Sequence, residues 1–229
     1  MFTALRRRFQ RHPEVRPKGP FFITNATAPT GAAAVRALAA SNVKIFAGVP
    51  DPASLLDVEP KGSSQVIPLI FNLAELEQLN ALPSVLKEQL GDQGLAGIIH
   101  TPASPFDPVQ IQPDDEQAIG KLVTDAFIIA RLFLRLLIKD QGRFLFIHES
   151  FPLLNGWADT IATKLTSAAF IGSLSEGLQA QGVRFTAIEV CAPSAASKRV
   201  PSGTLTEVVL QALTMKRPPE QLFASSLPD

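Results

Sequence analysis

Tyrosine is missing altogether: the 229 residues include fifteen phenylalanines and one tryptophan but no phenol. Any chemistry that needs a tyrosine hydroxyl is closed to this chain. Cysteine is nearly missing too. The single Cys191 excludes an internal disulfide framework, and a reducing compartment, cytoplasm or organelle matrix, is expected. Histidine is scarce, and His12, His100 and His148 show no metal-ligand spacing. There is no excess of either charge, with 21 basic and 21 acidic residues, so no electrostatic drive towards nucleic acid is expected. Long hydrophobic runs are also lacking. The most apolar stretch, 126–138, is too short to span a bilayer and contains Arg131 and Arg135. No membrane span is expected, and nothing resembles the apolar core of a secretory signal peptide.

What is present is a chain with 46% hydrophobic residues, long enough for one large α/β domain. The even charge balance hides an asymmetry. Residues 1–18 carry Arg6, Arg7, Arg8, Arg11, Arg16 and Lys18 against Glu14 alone, leaving 15 basic and 20 acidic residues in the remainder, a formal −5. Phe2, Leu5 and Phe9 fall at helical spacing between the arginines, and Pro13, Pro17 and Pro20 stop any helix there. We divide the chain into a basic arm, 1–19, and a domain, 20–229. The arm suits a targeting segment or a docking segment equally well.

From residue 21 onward, strand and helix patterns alternate. Strands are predicted at 21–24, 43–47, 65–71, 94–100, 143–148 and 183–190. Helices are predicted at 31–41, 73–89, 116–139, 158–181 and 206–215. Strands alternating with crossover helices imply a doubly wound, Rossmann-like parallel sheet covered on both faces, in a single domain.

The order and content of these segments resemble the short-chain dehydrogenase/reductase family over about residues 20–225. The family's Thr-Gly-x-x-x-Gly-x-Gly turn stands as Thr24-Asn25-Ala26-Thr27-Ala28-Pro29-Thr30-Gly31, followed by AAAVRALAAS. Ile45-Phe46-Ala47-Gly48-Val49-Pro50-Asp51-Pro52 is similar to the family's A-G-x-R-D-P. IPLIFNL matches a strand that usually ends in an adenine-contacting Asp, here Asn72. LAGIIHTPAS stands where the family has a strand and Asn-Asn-Ala-Gly. GRFLFIHES matches the strand before the catalytic Ser, DTIATKLTSAAF the Tyr-x-x-x-Lys helix, and EVCAPS the Pro-Gly turn.

The resemblance implies a nicotinamide cofactor and a Tyr–Lys–Ser site, and at each of those positions this sequence departs from it. The phosphate turn uses glycines so that amides at a helix N-terminus can approach a pyrophosphate. Asn25 tolerates a left-handed backbone, but Pro29 has no N–H and brings a ring; its expected role is to start the helix. Val49 and Pro50 replace the charged reader of the ribose, and Pro50-Asp51-Pro52 reads as a turn. His100, ending a buried strand, is expected to be a satisfied core histidine. Ser150 and Lys164 remain from the catalytic set, but Thr160 stands four residues before Lys164 where the family has its Tyr. An aliphatic hydroxyl is far less acidic than a phenol and ends several ångströms short. No Asn occurs between Asn80 and Asn155 to assist, and only 195–206 separate the Pro193 turn from the last helix, too little for a lid.

These departures lead us to expect a catalytically inactive subunit with a structural or regulatory role. No catalytic residue is expected beyond the remnants Ser150, Thr160 and Lys164. The cofactor turn is degenerate at Thr24, Asn25, Pro29, Gly31 and Asn72. No metal and no cofactor are expected, residual NAD(P) binding being the alternative. An atypical reductase or non-redox enzyme using His100, Glu149, Ser150 and Lys164 is a rival reading, and a weak nucleotide sensor another. The expected partner is a second copy, an intact family paralogue or a larger complex. The family's four-helix contact implies an interface through Phe127, Arg131, Phe133, Leu134, Ala168, Ala169 and Gly172, because 127–138 is apolar on nearly all sides.

Overall fold

The protein's structure, a computed structural model, describes residues 17–39, 41–54, 64–73, 75–102, 116–137, 142–149, 169–191, 204–215 and 221–225. In chain order the elements are β1 (Phe21–Ile23), α1 (Pro29–Ala39), β2 (Lys44–Val49), β3 (Gln65–Ile70), α2 (Leu76–Leu90), β4 (Gly97–His100) and α3 (Glu116–Phe133). There follow β5 (Arg143–Glu149), α4 (169–179), β6 (Arg184–Cys191), α5 (Leu205–Thr214) and β7 (Gln221–Ser225). The seven strands form one sheet in the order β3-β2-β1-β4-β5-β6-β7, and every pairing is parallel. The single-domain, doubly wound α/β architecture expected from the alternating pattern is the one observed.

The strands have apolar residues on both faces because both faces are covered. Phe22, Phe46, Ile98, Phe144, Phe146 and Phe185 point to one side, where α2, α3 and α4 close a core. Phe21, Ile23, Ile45, Ile99, Leu145 and Ile188 point to the other, beneath α1 and α5. Helix α2 tolerates Pro83 in its interior because Leu79, Leu82, Leu86 and Leu90 form a buried stripe along it. That burial offsets a proline cost of about 3 kcal/mol. At the sheet edge, Gln65 and Phe71 donate their amides to Val43 and Val49 on the β2 side. The alternating Pro68 therefore lacks an N–H only on the solvent side, losing no ladder bond and blunting the edge.

One expectation changes. Helix α3 stops at Phe133 rather than running to 139, and a single tight turn, Leu134–Leu136, follows. Its physical reason is burial: Leu136 and Leu137 turn in to seal the end of the sheet, where Leu137 bridges Leu95. Strand β7 carries no sequence expectation, yet it pairs with β6 and buries Leu222 and Ala224. Of the helix expected at 158–181, the part before 169 lies outside the described residues.

Candidate functional site

In this strand order the chain reverses direction of winding between β1 and β4. Ligands of open α/β sheets bind at such a switch point, beyond the carboxyl ends of the strands. Here the ends of β1 and β4 are tied together by a buried polar knot. The Thr24 amide donates to Ile99 O at 3.1 Å, and Thr24 Oγ1 accepts the Thr101 amide at 3.1 Å. The same hydroxyl lies 3.0 Å from His100 Nδ1 and 3.4 Å from Thr101 O. Thr101 Oγ1 donates to Asn25 O at 3.0 Å, and Thr27 Oγ1 to Asn25 Oδ1 at 3.2 Å.

His100 is fully buried and stacks on Phe146 at 5.8 Å between ring centres. Burial pushes its pKa down to about 3, so the ring is neutral at physiological pH. It is only half the satisfied histidine that was expected: Nδ1 has its partner, whereas Nε2 is buried without one among the described residues. A neutral ring sealed from solvent is poorly suited to general-base work.

Two glycines shape the turn after β1. A Cβ on Gly31, in the first turn of α1, would lie 1.8 Å from Asn25 O. A Cβ on Gly48, near the end of β2, would lie 2.4 Å from Thr24 O. The close approach is held by the Ala26 amide donating to Gly48 O at 2.8 Å.

No family model matches the chain, and no curated protein does. Solved structures do. An oxidoreductase from E. coli, yciK, superposes with a TM-score of 0.69 at 16% identity, covering 96% of this chain and 99% of that one. A metagenomic short-chain oxidoreductase in complex with NADP gives 0.68 at 16% identity, covering 94% and 100%. A short chain dehydrogenase from Burkholderia cenocepacia in complex with NADP gives 0.64 at 18%, covering 93% and 90%. The fold is that of the short-chain dehydrogenases/reductases.

That fold implies a nicotinamide dinucleotide, and the described residues do not fit one. Pro29 is the first residue of α1 and is exposed at the mouth of the turn, where a ring takes the place of an amide donor. At the end of β2, Val49 is buried. Asp51 is committed to its own turn, its carboxylate accepting the Ser54 amide at 3.0 Å and the Ser54 hydroxyl at 2.6 Å. Those two bonds hold its carboxyl below the usual range. Asn72 is exposed after β3, its backbone amide donating to Gln78 Oε1 at 2.8 Å.

Strand β5 ends at Glu149, and Ser150, Thr160, Lys164 and Ala168 lie outside the described residues. The structure therefore brings together Thr24, Asn25, Pro29 and Gly31 of the sequence-assigned set, adjoining Gly48, His100 and Thr101.

One residue expected at an interface lies elsewhere. Phe133 is wholly buried and packs on Phe22 with ring centres 5.0 Å apart, so it belongs to the chain's own core. Helix α3 in fact has a buried stripe, Ala126, Ile129, Ala130 and Phe133, with Ile128 and Leu132 half-buried on its flanks. Leu134 is likewise half-buried against the core. Phe127 is 41% exposed and meets Phe170 of α4 edge-on at 5.1 Å. Arg131 and Ala169 are exposed beside it, and Gly172 is half-buried with open space where a side chain would stand.

Proposed function

We propose that this chain is a short-chain dehydrogenase/reductase-like subunit that does not transfer hydride and acts as a structural or regulatory partner. The observation that carries this reading is the complete absence of tyrosine. The fold's usual reaction needs a phenol of lowered pKa, and no residue of this chain can supply one. Thr160, the residue in that sequence position, has a hydroxyl of much lower acidity and shorter reach. The misfit at Pro29 and Asp51 supports a second part of the proposal, that neither NAD(H) nor NADP(H) binds appreciably.

A partner is the third part. Phe127 is exposed on α3 beside Arg131 and next to the small residues Ala169 and Gly172 of α4, a surface another helix pair could approach closely. A second copy or an intact relative of the same fold is the partner proposed for it.

The test has two arms. A panel of ketones and alcohols with NADPH, NADH and their oxidised forms should show no turnover above buffer. A clear rate that disappears in Lys164→Ala would overturn the inactive reading. Sedimentation of the native protein should show an assembly that Phe127→Asp disperses while the fold is retained. A native monomer, with no partner recovered from its source, would remove the subunit role.

A further inference from the structure

Large apolar side chains stand exposed at five described positions, Ile70, Leu76, Val85, Phe127 and Leu210, and three of them gather around α2. Ile70 ends β3 just before the helix, and Leu76 and Val85 lie on it. Nine positions separate Leu76 from Val85. That is about two and a half helical turns, so the two flank the outer face from opposite sides. Between them the face carries Glu77, Ala81, Ser84 and Glu88, all exposed, opposite the buried stripe of Leu79, Leu82, Leu86 and Leu90. Glu75 and Asp92, also exposed, extend the negative charge past both ends. The one cation along this stretch is Lys87, whose ammonium donates to Gly91 O at 2.7 Å. Among the described residues no other helix presents more than one exposed acid.

The segment of opposite charge joins the domain nearby. Residues 1–16 lie outside the described residues, and their root is fixed. Pro17 and Pro20 are buried, Gly19 turns at φ +92° against Ala96, and Pro20 O accepts the Ala96 amide at 2.8 Å. Ala96 stands six positions after the last residue of α2. The basic segment therefore enters beside the connection that runs out of α2. Sixteen residues reach at most about 50 Å, and the fifteen residues of α2 are about 22 Å long. The whole outer face is within reach. The cleft at the end of the helix suits the segment less well, because Lys87 and Arg135 outnumber Asp92 there.

We propose that residues 1–16 dock on the outer face of α2 in their own chain. Phe2, Leu5 and Phe9 supply apolar groups to cover Leu76 and Val85, and the arginines between and after them supply the charge opposite Glu77, Glu88 and Asp92. Exposed ion pairs are weak one at a time. A tether raises the effective concentration to the order of millimolar, so a set of weak contacts is enough to hold the segment. Screening by salt should release it, since its acids are all exposed.

The experiment uses the full chain, isotope-labelled for nuclear magnetic resonance, with a spin label on Ser84→Cys in a Cys191→Ala background. Ala81→Cys serves if that variant does not fold. At low salt the amide signals of residues 2–11 should lose roughly half or more of their intensity, and should recover it in 1 M salt, where the screening length falls to about 3 Å. Glu77→Lys with Glu88→Lys should restore the signals at low salt. A label on Leu210→Cys, on α5 across the sheet, should leave them unchanged. Undiminished signals beside a labelled, folded Ser84→Cys would overturn the proposal, as would equal loss from Leu210→Cys or loss that survives the charge reversal. Loss seen when unlabelled isotopic chain is mixed with spin-labelled chain would move the contact to a second copy and overturn docking within one chain. Loss that appears only on adding phosphatidylserine vesicles, whatever the label's position, would assign the segment to a membrane surface instead and overturn it too.

Discussion

The buried His100 makes acid stability a direct measure of the knot between β1 and β4. In the folded chain its pKa is about 3, against an ordinary 6.5 in the unfolded chain. Between those values the unfolded chain binds the extra proton, so acid favours unfolding. Stability is full above pH 6.5, falls as pH drops through the window, and levels off near pH 3. At pH 5.0 the histidine alone removes about 2 kcal/mol relative to pH 7.5. For a chain of this size that is a fall in melting temperature of roughly 4–8 °C. Other groups also respond to acid, so the informative quantity is the difference between the parent and His100→Leu. The leucine cannot take up a proton, and Thr24 Oγ1 keeps Thr101 O within reach at 3.4 Å. Denaturant unfolding of both proteins at the two pH values supplies the comparison. The parent should lose about 2 kcal/mol more than the variant on acidification. Equal losses would mean that the ring is protonated in the fold without penalty, and the sealed environment assigned to it would be wrong.

Gly31→Ala should cost at least about 3 kcal/mol, because its new carbon meets a backbone carbonyl that cannot step aside; urea unfolding would show it, and a loss under 1 kcal/mol would refute the close approach. Arg143→Met should cost about 1–3 kcal/mol. Its guanidinium donates to Ala212 O at 3.0 Å and Met215 O at 2.8 Å, closing the end of α5. Burial and the neighbouring Arg184 charge push its pKa down to about 10, still charged at pH 7, so the loss should stay constant from pH 6 to 8. Phe133→Asp should unfold the chain, whereas Phe127→Asp should leave its circular dichroism spectrum unchanged.

The sheet was legible because its strands are buried on both faces and read as apolar runs such as GIIH and RFLFIHE, separated by helix-length segments. Strand β7 was not, because five residues, QLFAS, carry too little pattern to be told from a loop. The orientation of α3 was ambiguous for a different reason. Its half-buried flanks are apolar as well as its core stripe, and composition cannot say that Phe133 faces in while Phe127 faces out. The knot at the switch point was beyond reach, since Thr24 and His100 are 76 residues apart and only the β1–β4 pairing joins them.

The turn after β1 shows why a fold can be recognised where its chemistry is not. Gly31 and Gly48 answer to the chain itself: a side chain at either would strike backbone, whatever ligand were present or absent. Pro29 and Asp51 are exposed, and among the described residues the Asp51 carboxylate bonds only within its own turn. A proline at the first position of a helix even suits the helix, since no amide bond is lost there. The residues that make the fold and those that would serve a cofactor are thus physically separate, though Pro29 stands two positions from Gly31 and Asp51 three from Gly48. Replacing an outward residue costs the architecture little, and the fold's stability offers no protection to the site above it.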